Sequence, residues 1–440
     1  MKRRKKNQKV RNLITLCALC AILLSVSTYA WFIGMKTVNV TEFDINIATT
    51  EGLFLSMDGK DWVYTLDAKG ATAYEGNANQ WLDKPGQGLI PMSSIGEMDS
   101  DSSRMKLYEK GSLTAVTGGY RLLSSQVDNH TKQVGGPTSS KEYVEGDGYI
   151  AFDLFIKNLS GNPYYPENNV LNEEAIYLNT NSAVTVALDG EGKAGIENSV
   201  RVGFVQLGRV SAALDTDVPK NQKLVTSMTC ADSLDDAEDP EHVTGICRDA
   251  QIWEPNDTKH VQNAINWYNE SCLKRTGSDV NSSDSYTALT PCATLNTTTA
   301  YPTYAISRTI GIDDNVNIYD GTAYNSYTAN TNTLQEYNDA EEGSEQGQKG
   351  AMKLIDFPYF TDTMKNVEGK DRPQFMTLAP NSITKLRVYV WIEGQDIDNY
   401  DFASLGKKIT INFGFTKERY NQSDFPDYDG PDVPTTNEWF

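Results

Sequence analysis

The feature that most constrains the fold is an alternation of apolar and polar side chains near the end of the chain. Two apolar sets show this period of two clearly: Leu386, Val388, Val390 and Ile392, followed by Ile409, Ile411, Phe413 and Phe415. Successive side chains on a β-strand point to opposite faces of the sheet, so each set predicts a strand with one buried face and one solvent-exposed face. A short acidic loop joins the two predicted strands.

The same alternation recurs earlier in the chain. It places apolar residues on one face of five further segments: Phe43, Ile45 and Ile47; Leu53 and Leu55; Ile150, Phe152, Leu154 and Ile156; Val184, Val186 and Leu188; and Val200, Val202 and Phe204. Strands with one buried face are typical of antiparallel sheets packed face to face, rather than of a parallel sheet covered by helices. We therefore predict an all-β fold, an antiparallel β-sandwich whose strands are separated by long loops.

The start of the chain predicts export. Residues 1–11 carry seven basic side chains and no acid, and residues 12–35 carry no charge. Basic residues stay on the cytoplasmic side of a membrane, so we expect the rest of the chain to lie outside the cell. Thr28 and Ala30 supply the small residues at positions −3 and −1 of a cleavage site. The alternative is that an aromatic belt around Trp31 belongs to an uncleaved anchor helix.

Composition agrees with an extracellular or cell-surface location. There the chain would be either released or anchored by a single transmembrane segment. The net charge of the 440-residue chain is −20 although its first residues are strongly basic. Such an acidic body repels nucleic acid and anionic membranes. We therefore exclude nucleic acid as a partner and expect membrane contact only through the N-terminal segment. The expected partners are other copies of the chain, other surface proteins or glycans.

Four of the six cysteines lie beyond the leader, in one short window: Cys230, Cys247, Cys272 and Cys292. An even and clustered number of cysteines in an exported protein predicts two local disulfides, for which three connectivities are open. A metal site is the alternative, but no pair of these cysteines has the short spacing of structural zinc ligands.

The chain divides into four predicted parts. Residues 1–35 form a signal peptide or membrane anchor, and 36–210 together with 301–416 form the sandwich. Residues 211–300 form a large insertion that contains the cysteines, and 417–440 form an acidic, extended tail.

The predicted insertion carries the clearest helix signal of the chain. Asn256 and Asp257 offer a helix cap, and Val261, Ile265 and Trp267 follow at approximately helical spacing. We therefore expect one helix within a segment that is otherwise rich in acidic residues and loops.

Several segments resemble a group of exported proteins of Gram-positive bacteria: STYAWF in the leader, and residues 47–62, 148–158 and 383–415. The leader is similar to those processed by SipW-type signal peptidases, and the chain more distantly resembles the TasA/camelysin group. That resemblance implies a jelly-roll-like sandwich that assembles into extracellular fibres, in which an N-terminal strand freed by cleavage completes the next subunit. The donor strand would contain Val38 and Val40. The alternative is that these residues form a linker or the first strand of their own domain.

Catalytic motifs are not evident in the sequence. The three histidines, His130, His242 and His260, form no H-E-x-x-H motif, and the chain contains no G-x-S-x-G elbow, P-loop or dinucleotide-binding fingerprint. Acidic residues are numerous, but their spacing selects no pair for a glycosidase. We therefore predict no catalytic residues and no cofactor, with calcium as the one candidate ligand.

The candidate calcium ligands lie in the loop between the last two predicted strands: Glu393, Asp396, Asp398 and Asp401. Carboxylate-rich loops supply the oxygen ligands that Ca²⁺ prefers, although this loop lacks the spacing of an EF-hand. The alternative is a solvated acidic turn.

Two aromatic residues are candidate ligand contacts. Tyr389 and Trp391 lie on the predicted solvent-exposed face of a strand, where they could stack on a sugar ring or contact a partner protein. The alternative, which we favour, is that the 211–300 insertion covers this face and makes both residues part of the core.

These observations favour interaction over catalysis. We expect an exported cell-surface or extracellular-matrix protein with a structural or adhesive role, with fibre assembly through an N-terminal donor strand as one form of it. The first alternative is a surface-displayed module that binds carbohydrate or protein. The second is a secreted hydrolase that uses a carboxylate pair.

Overall fold

A computed structural model gives the fold of the sandwich region. The residues that it describes are 40–49, 52–77, 89–94, 96, 98–99, 102–109, 113–116, 119–126, 130–133, 141–146, 148–166, 172–187, 194–232, 242–248, 250–256, 259–266, 316–319, 376–394, 396, 398–399 and 407–419. The chain divides into two compact units, residues 1–38 and 39–440, and the described residues all belong to the second unit. Within those described ranges, no helix has the length and apolar character needed to cross a membrane.

The described part of the chain is mostly β-structure. Its strands are β1 Val40–Thr49, β2 Leu53–Ser56, β3 Thr65–Asp67, β4 Met92–Ser93, β5 Met98–Asp99, β6 Arg104–Met105, β7 Tyr108–Glu109, β8 Leu113–Val116, β9 Gly119–Gln126, β10 His130–Gln133, β11 Lys141–Val144, β12 Ile150–Asn158, β13 Glu174–Leu178, β14 Ala183–Val186, β15 Val200–Ser211, β16 Thr244–Gly245, β17 Gln251–Trp253, β18 Val316–Tyr319, β19 Met376–Leu378, β20 Ser382–Ile392 and β21 Lys407–Arg419. Helical structure in these ranges includes the 3₁₀ turn Ile196–Ser199, the helix α1 Pro219–Ser227 and residues 262–266.

Two six-stranded sheets pack face to face. The first sheet has the order β19-β13-β21-β1-β3, with β14 also paired to β21. The second sheet has the order β16-β15-β20-β12-β2, with β17 also paired to β15. Between them, Phe204 of the second sheet meets Phe413 and Phe415 of the first, with ring centroids 5.3 and 5.7 Å apart. A β-sandwich built mainly from antiparallel strands, as predicted from the alternation, is therefore confirmed.

One strand pair departs from the antiparallel prediction. β1 runs parallel to β21, with Phe43 opposite Ile409 and Ile45 opposite Ile411. Because β1 and β21 are the first and last strands of the sandwich, no hairpin connects them and fixes their relative direction. The predicted alternation nevertheless holds along β1, where Ile45 is buried and Asn46 is exposed.

The central strands of the second sheet, β12, β15 and β20, are buried on both faces, which corrects the prediction that they have one solvent-exposed face. The outer face of this sheet, which points away from the first sheet, carries Tyr389 and Trp391 in a buried apolar cluster with Met92 and Met105. Gly203 on β15 leaves room for this packing, because an added Cβ would lie 3.2 Å from the Trp391 ring and 3.3 Å from the Met105 sulfur. Segments outside the sheet therefore supply a second core layer.

Charged side chains share this buried outer face and neutralise one another. Arg387 binds the Asp153 carboxylate through Nε at 2.7 Å and through its NH2 group at 3.2 Å. Lys385 Nζ lies 3.0 Å from the same carboxylate, and the Tyr74 hydroxyl donates a hydrogen bond to it. Burial alone would raise the pKa of Asp153, but Arg387 and then Lys385 outweigh it and lower the pKa to about 2.

A second charged network links the two sheets. Arg209 on β15 and Arg248 each lie 2.7 Å from the carboxylate of Glu173, which directly precedes β13. The Thr377 hydroxyl on β19 donates to the same carboxylate. Burial would raise the pKa of Glu173, but the hydrogen bond and charge of Arg248, together with Arg209, lower it to about 2. The pairing therefore fixes strands of opposite sheets at this margin.

Part of the segment predicted as an insertion lies in the second sheet, since residues 244–245 and 251–253 pair with β15. The helix α1 was not anticipated from the sequence. It begins at Pro219, a residue whose fixed φ favours the first helical position, and it packs Val225 against the outer face of the second sheet. The predicted helix near residue 265 agrees with the helical residues 262–266.

One predicted disulfide is present. Cys230 and Cys247 are bonded with their Cα atoms 5.1 Å apart, and this pairing removes two of the three connectivities that the sequence left open. Cys272 and Cys292 lie outside the described residues. The bonded pair borders the outer face of the second sheet, where Cys230 packs against the cluster around Trp391.

Candidate functional site

The loop that follows β20 meets three other segments at one end of the second sheet. Five buried ionisable side chains converge there, and we call them the loop-end site: Arg201, Glu254, His260, Asp396 and Asp398. Arg201 is the second residue of β15, Glu254 directly follows β17, and His260 precedes the helical residues 262–266. Asp396 and Asp398 come from the acidic loop that the sequence singled out as a candidate calcium site.

Hydrogen bonds orient the two aspartates. The backbone N–H of Asp398 donates to Asp396 Oδ1 at 2.8 Å, so the loop turns back on its own side chain. The Asp398 carboxylate accepts from the backbone N–H of Val261 at 3.0 Å and lies 2.6 Å from Nδ1 of His260. Asp398 therefore joins the β20–β21 loop to the segment that contains His260.

Arg201 occupies the centre of the loop-end site. Its Nη2 lies 2.8 Å from Oδ2 of Asp396, and its Nε donates to Glu254. A third hydrogen bond runs from Nη1 to the backbone oxygen of Asn198 at 2.8 Å. A planar guanidinium suits this role because it donates in several fixed directions at once.

The charges of the five loop-end side chains do not cancel one another when His260 is neutral: Glu254 and Asp396 pair with Arg201, and Asp398 pairs with His260. Burial raises the pKa of Asp398, and the negative charge of Asp396 raises it further. The hydrogen bonds from His260 and from the Val261 N–H act in the opposite direction but do not reverse the shift. The fold therefore disfavours the charged form of the Asp398 carboxyl group.

Three residues of the loop-end site are close enough together to share a metal ion. The ligand atoms of His260, Asp396 and Asp398 lie within 4.8 Å of one another. An imidazole nitrogen with two carboxylates suits a transition metal better than calcium, which takes six to eight oxygens. However, Arg201 already neutralises Asp396, and this weakens the attraction of the site for any cation.

The predicted calcium quartet is therefore only partly assembled. Asp396 and Asp398 lie together, but Glu393 accepts hydrogen bonds from the Ser93 hydroxyl and from the Trp391 indole, and it is not part of the metal-sized group. Asp401 lies outside the described residues. His260 joins the aspartates although it is 138 positions away from Asp398 in the chain, so spacing could not identify it.

The predicted aromatic ligand contacts are core residues. Tyr389 and Trp391 are both 0% exposed. The Tyr389 hydroxyl donates to Glu145 at 2.9 Å and accepts the backbone N–H of Met105 at 3.2 Å. Neither ring is open to a ligand, and the interpretation of both residues as core is the one that the structure supports.

The remaining predicted positions are distributed as follows. Thr28, Ala30 and Val38 lie outside the described residues. Val40 opens β1, opposite Lys407 at the start of β21 in the same sheet. Within the described chain, Val40, the C-terminal end of the candidate donor strand, therefore belongs to a strand of its own domain.

No protein-family model matches the chain, and no match was found among curated proteins or among solved structures.

Replacing Asp398 by asparagine should cost less stability as pH rises, because the folded chain disfavours the charged carboxylate. A raised pKa in the folded state contributes stability below the unfolded pKa of 3.8, and this contribution is lost as pH rises through the folded value. The wild type should therefore lose stability relative to Asp398→Asn as pH rises above 4, as measured by urea unfolding. A gain over the same range would contradict the assignment.

Proposed function

We propose that this chain is an exported cell-surface or extracellular-matrix protein with a structural or adhesive role. Its basic and apolar leader supports export, and its sandwich supports a scaffold in which charged groups hold strands together. The leader resembles those processed by SipW-type peptidases, and the chain more distantly resembles the TasA/camelysin group. On that basis we also propose that the sandwich is jelly-roll-like and that the chain assembles into fibres.

The observation that supports the proposal is that buried ion pairs connect segments that are distant in the sequence. Arg387 and Asp153 pair across 234 positions of sequence, and Arg201 and Asp396 pair across 195. Removing one partner of a buried ion pair is costly, so these pairs tie distant segments to one geometry. A scaffold that must keep its shape outside the cell benefits from this arrangement. We propose no catalytic role, because Asp396 and Asp398 are held by Arg201 and His260.

The disulfide between Cys230 and Cys247 supports the exterior address. Disulfides persist in oxidising compartments and are rare where glutathione keeps thiols reduced. Together with the seven basic residues of the leader, it favours a chain that crosses the membrane and folds on the far side.

Fractionation of bacteria that produce the full-length chain tests export. We expect the protein in the medium or on the cell surface, with Cys230 and Cys247 protected from alkylation until a reductant is added. Its intact mass distinguishes cleavage after Ala30 from a retained anchor. Recovery in the cytosol with both thiols free would contradict the proposal.

Electron microscopy of the exported chain tests assembly. The fibre form requires residues before β1, Val38 among them, to pair with a neighbouring copy, because Val40 already pairs within its own sheet. We expect filaments that Val38→Pro abolishes and Val38→Thr preserves, since proline cannot donate to a strand ladder. If only single particles are seen at every protein concentration, the fibre form is excluded and an adhesive role stays possible.

A further inference from the structure

A group of three aromatic side chains, one exposed and two half-buried, lies at the β2 edge of the second sheet. Leu55 on β2 exchanges both backbone hydrogen bonds with Val63, at 2.8 and 2.9 Å, so residues 62–64 extend the sheet by one antiparallel step. Because side chains alternate along an extended chain, Trp62 and Tyr64 lie on one face and Val63 on the other.

Phe54 completes this group, which we call the aromatic strip: Phe54, Trp62 and Tyr64. Phe54 lies opposite Tyr64, and their ring centroids are 4.5 Å apart. On its other side Phe54 pairs with Lys157 of β12, whose ammonium group lies 4.8 Å from the centre of the Trp62 ring. The strip is therefore a margin of the outer face of the second sheet.

The strip differs from the rest of that face in its exposure. Tyr389 and Trp391 are covered completely, whereas Tyr64 is 53% exposed and Phe54 and Trp62 are half-buried. A cluster of solvent-accessible aromatic rings is common at recognition surfaces, because burial of the rings by a ligand is favourable.

Neighbouring contacts hold the strip in position. The Trp62 indole N–H donates to the Thr216 hydroxyl at 3.4 Å, and Lys157 stacks over the same ring. Burial lowers the pKa of Lys157, and the charges of Asp217 and Asp215 oppose that shift. A surface that is already ordered loses little conformational entropy when it binds a ligand.

The rim of the strip carries charges of both signs. Lys60 and Asp217 lie 3.8 Å apart, with side chains that are 42% and 83% exposed, and Asp61 and Asp215 are exposed nearby. A hydroxyl group both donates and accepts hydrogen bonds, so a ligand rich in hydroxyls can satisfy cationic and anionic neighbours together. An anionic polymer is disfavoured by the chain's net charge of −20.

We propose that the aromatic strip binds an uncharged, hydroxyl-rich glycan, with the apolar face of a sugar ring on Tyr64 and the sugar hydroxyls at the charged rim. This proposal names a ligand class for the adhesive role proposed above. Its relevance at the cell surface rests on that proposed function. The binding chemistry itself depends only on the described surface.

Glycan binding by the full-length chain, solubilised in detergent, tests the proposal. An array of neutral oligosaccharides identifies the ligand, and titration calorimetry with the best neutral oligosaccharide measures its affinity. We expect Tyr64→Ala to weaken binding by about tenfold or more, as truncation of a central aromatic contact does. Tyr64→Phe keeps the ring and should change the affinity by less than about threefold, because stacking and not the hydroxyl carries the contact.

Val63→Thr is the matched control, since Val63 is 41% exposed in the same segment but faces the opposite side. It should leave the affinity unchanged, and the thermal midpoint of each variant verifies that it is folded. Absence of neutral-glycan binding, equal binding by Tyr64→Ala, or binding only to peptides would overturn the proposal. These results would not affect the outcome of the export test. A cytosolic location, in contrast, would contradict the proposed function without changing the measured glycan affinity.

Discussion

Replacing Asp153 by asparagine should lower the free energy of unfolding by about 3 to 5 kcal/mol. The substitution keeps the size of the side chain but leaves Arg387 and Lys385 without their shared counter-charge. Arg387 retains Glu145 at 2.9 Å, whereas Lys385 retains only the backbone oxygen of Thr226 among its described hydrogen bonds. We therefore attribute the larger part of the expected loss to Lys385, which is buried where its charge is poorly solvated.

The pH dependence of the same effect has a definite sign. The pKa of Asp153 falls from 3.8 to about 2 on folding, which corresponds to about 2 kcal/mol of stability above pH 4. A lowered pKa contributes stability above the unfolded value, and this is lost as pH falls through the folded value. The difference between wild type and Asp153→Asn, measured by urea unfolding, should therefore shrink between pH 4 and pH 2.

Two further variants separate the charge effect from simple disruption. Adding Lys385→Met to Asp153→Asn removes one charge of each sign and should recover at least about 1 kcal/mol, because residues in one network couple. Asp217→Asn is the control, since its ion pair with Lys60 is 83% exposed on the aspartate side and should contribute little. Equal stability of Asp153→Asn and wild type at pH 7 would show that the network is dispensable.

The sequence was sufficient to predict the sandwich because period-two alternation reports which residues share a face. It succeeded at β1, β12, β20 and β21, where the predicted apolar faces are buried. Alternation carries no information about strand direction, and for that reason the parallel pairing of β1 with β21 was missed. Direction depends on how the two ends of the chain enter the sheet.

The same pattern was misleading about the outer face of the second sheet. Lys385 and Arg387 look like solvent-facing residues in the sequence, and Tyr389 and Trp391 look like an exposed aromatic pair. All four are covered or largely covered because Asp153 and Glu145 neutralise the cations and other segments pack on the rings. An ion pair between residues more than two hundred positions apart leaves no local signal in one sequence.

The candidate site was predicted in part for a related reason. The acidic loop identified Asp396 and Asp398, since carboxylates cluster locally there. Arg201 and His260 come from other segments, and only the fold brings them to the loop. The aromatic strip was likewise missed, because Phe54 and Tyr64 become neighbours only when residues 62–64 fold back on β2.

Replacing both Cys230 and Cys247 by serine should lower the free energy of unfolding by about 3 kcal/mol, the effect expected for closing a loop of this length. The two cysteines are 17 positions apart, and their bond holds a segment that covers the second sheet. The Cys230 N–H donates to the Ser103 hydroxyl at 3.0 Å, so the loss extends to the segment around residue 103. The slope of urea unfolding should change little, because most of the surface buried on folding is unaffected.

Reductant separates this disulfide from the other cysteines. Dithiothreitol should destabilise the wild type by about the same 3 kcal/mol and the double-serine variant much less, so the difference between the two responses isolates the bond between Cys230 and Cys247. If both proteins unfold at the same urea concentration with and without reductant, the bond contributes nothing to the fold. The bond would then still indicate an oxidising compartment, because it persists only where thiols are not kept reduced, but it would have no role in stabilising the fold.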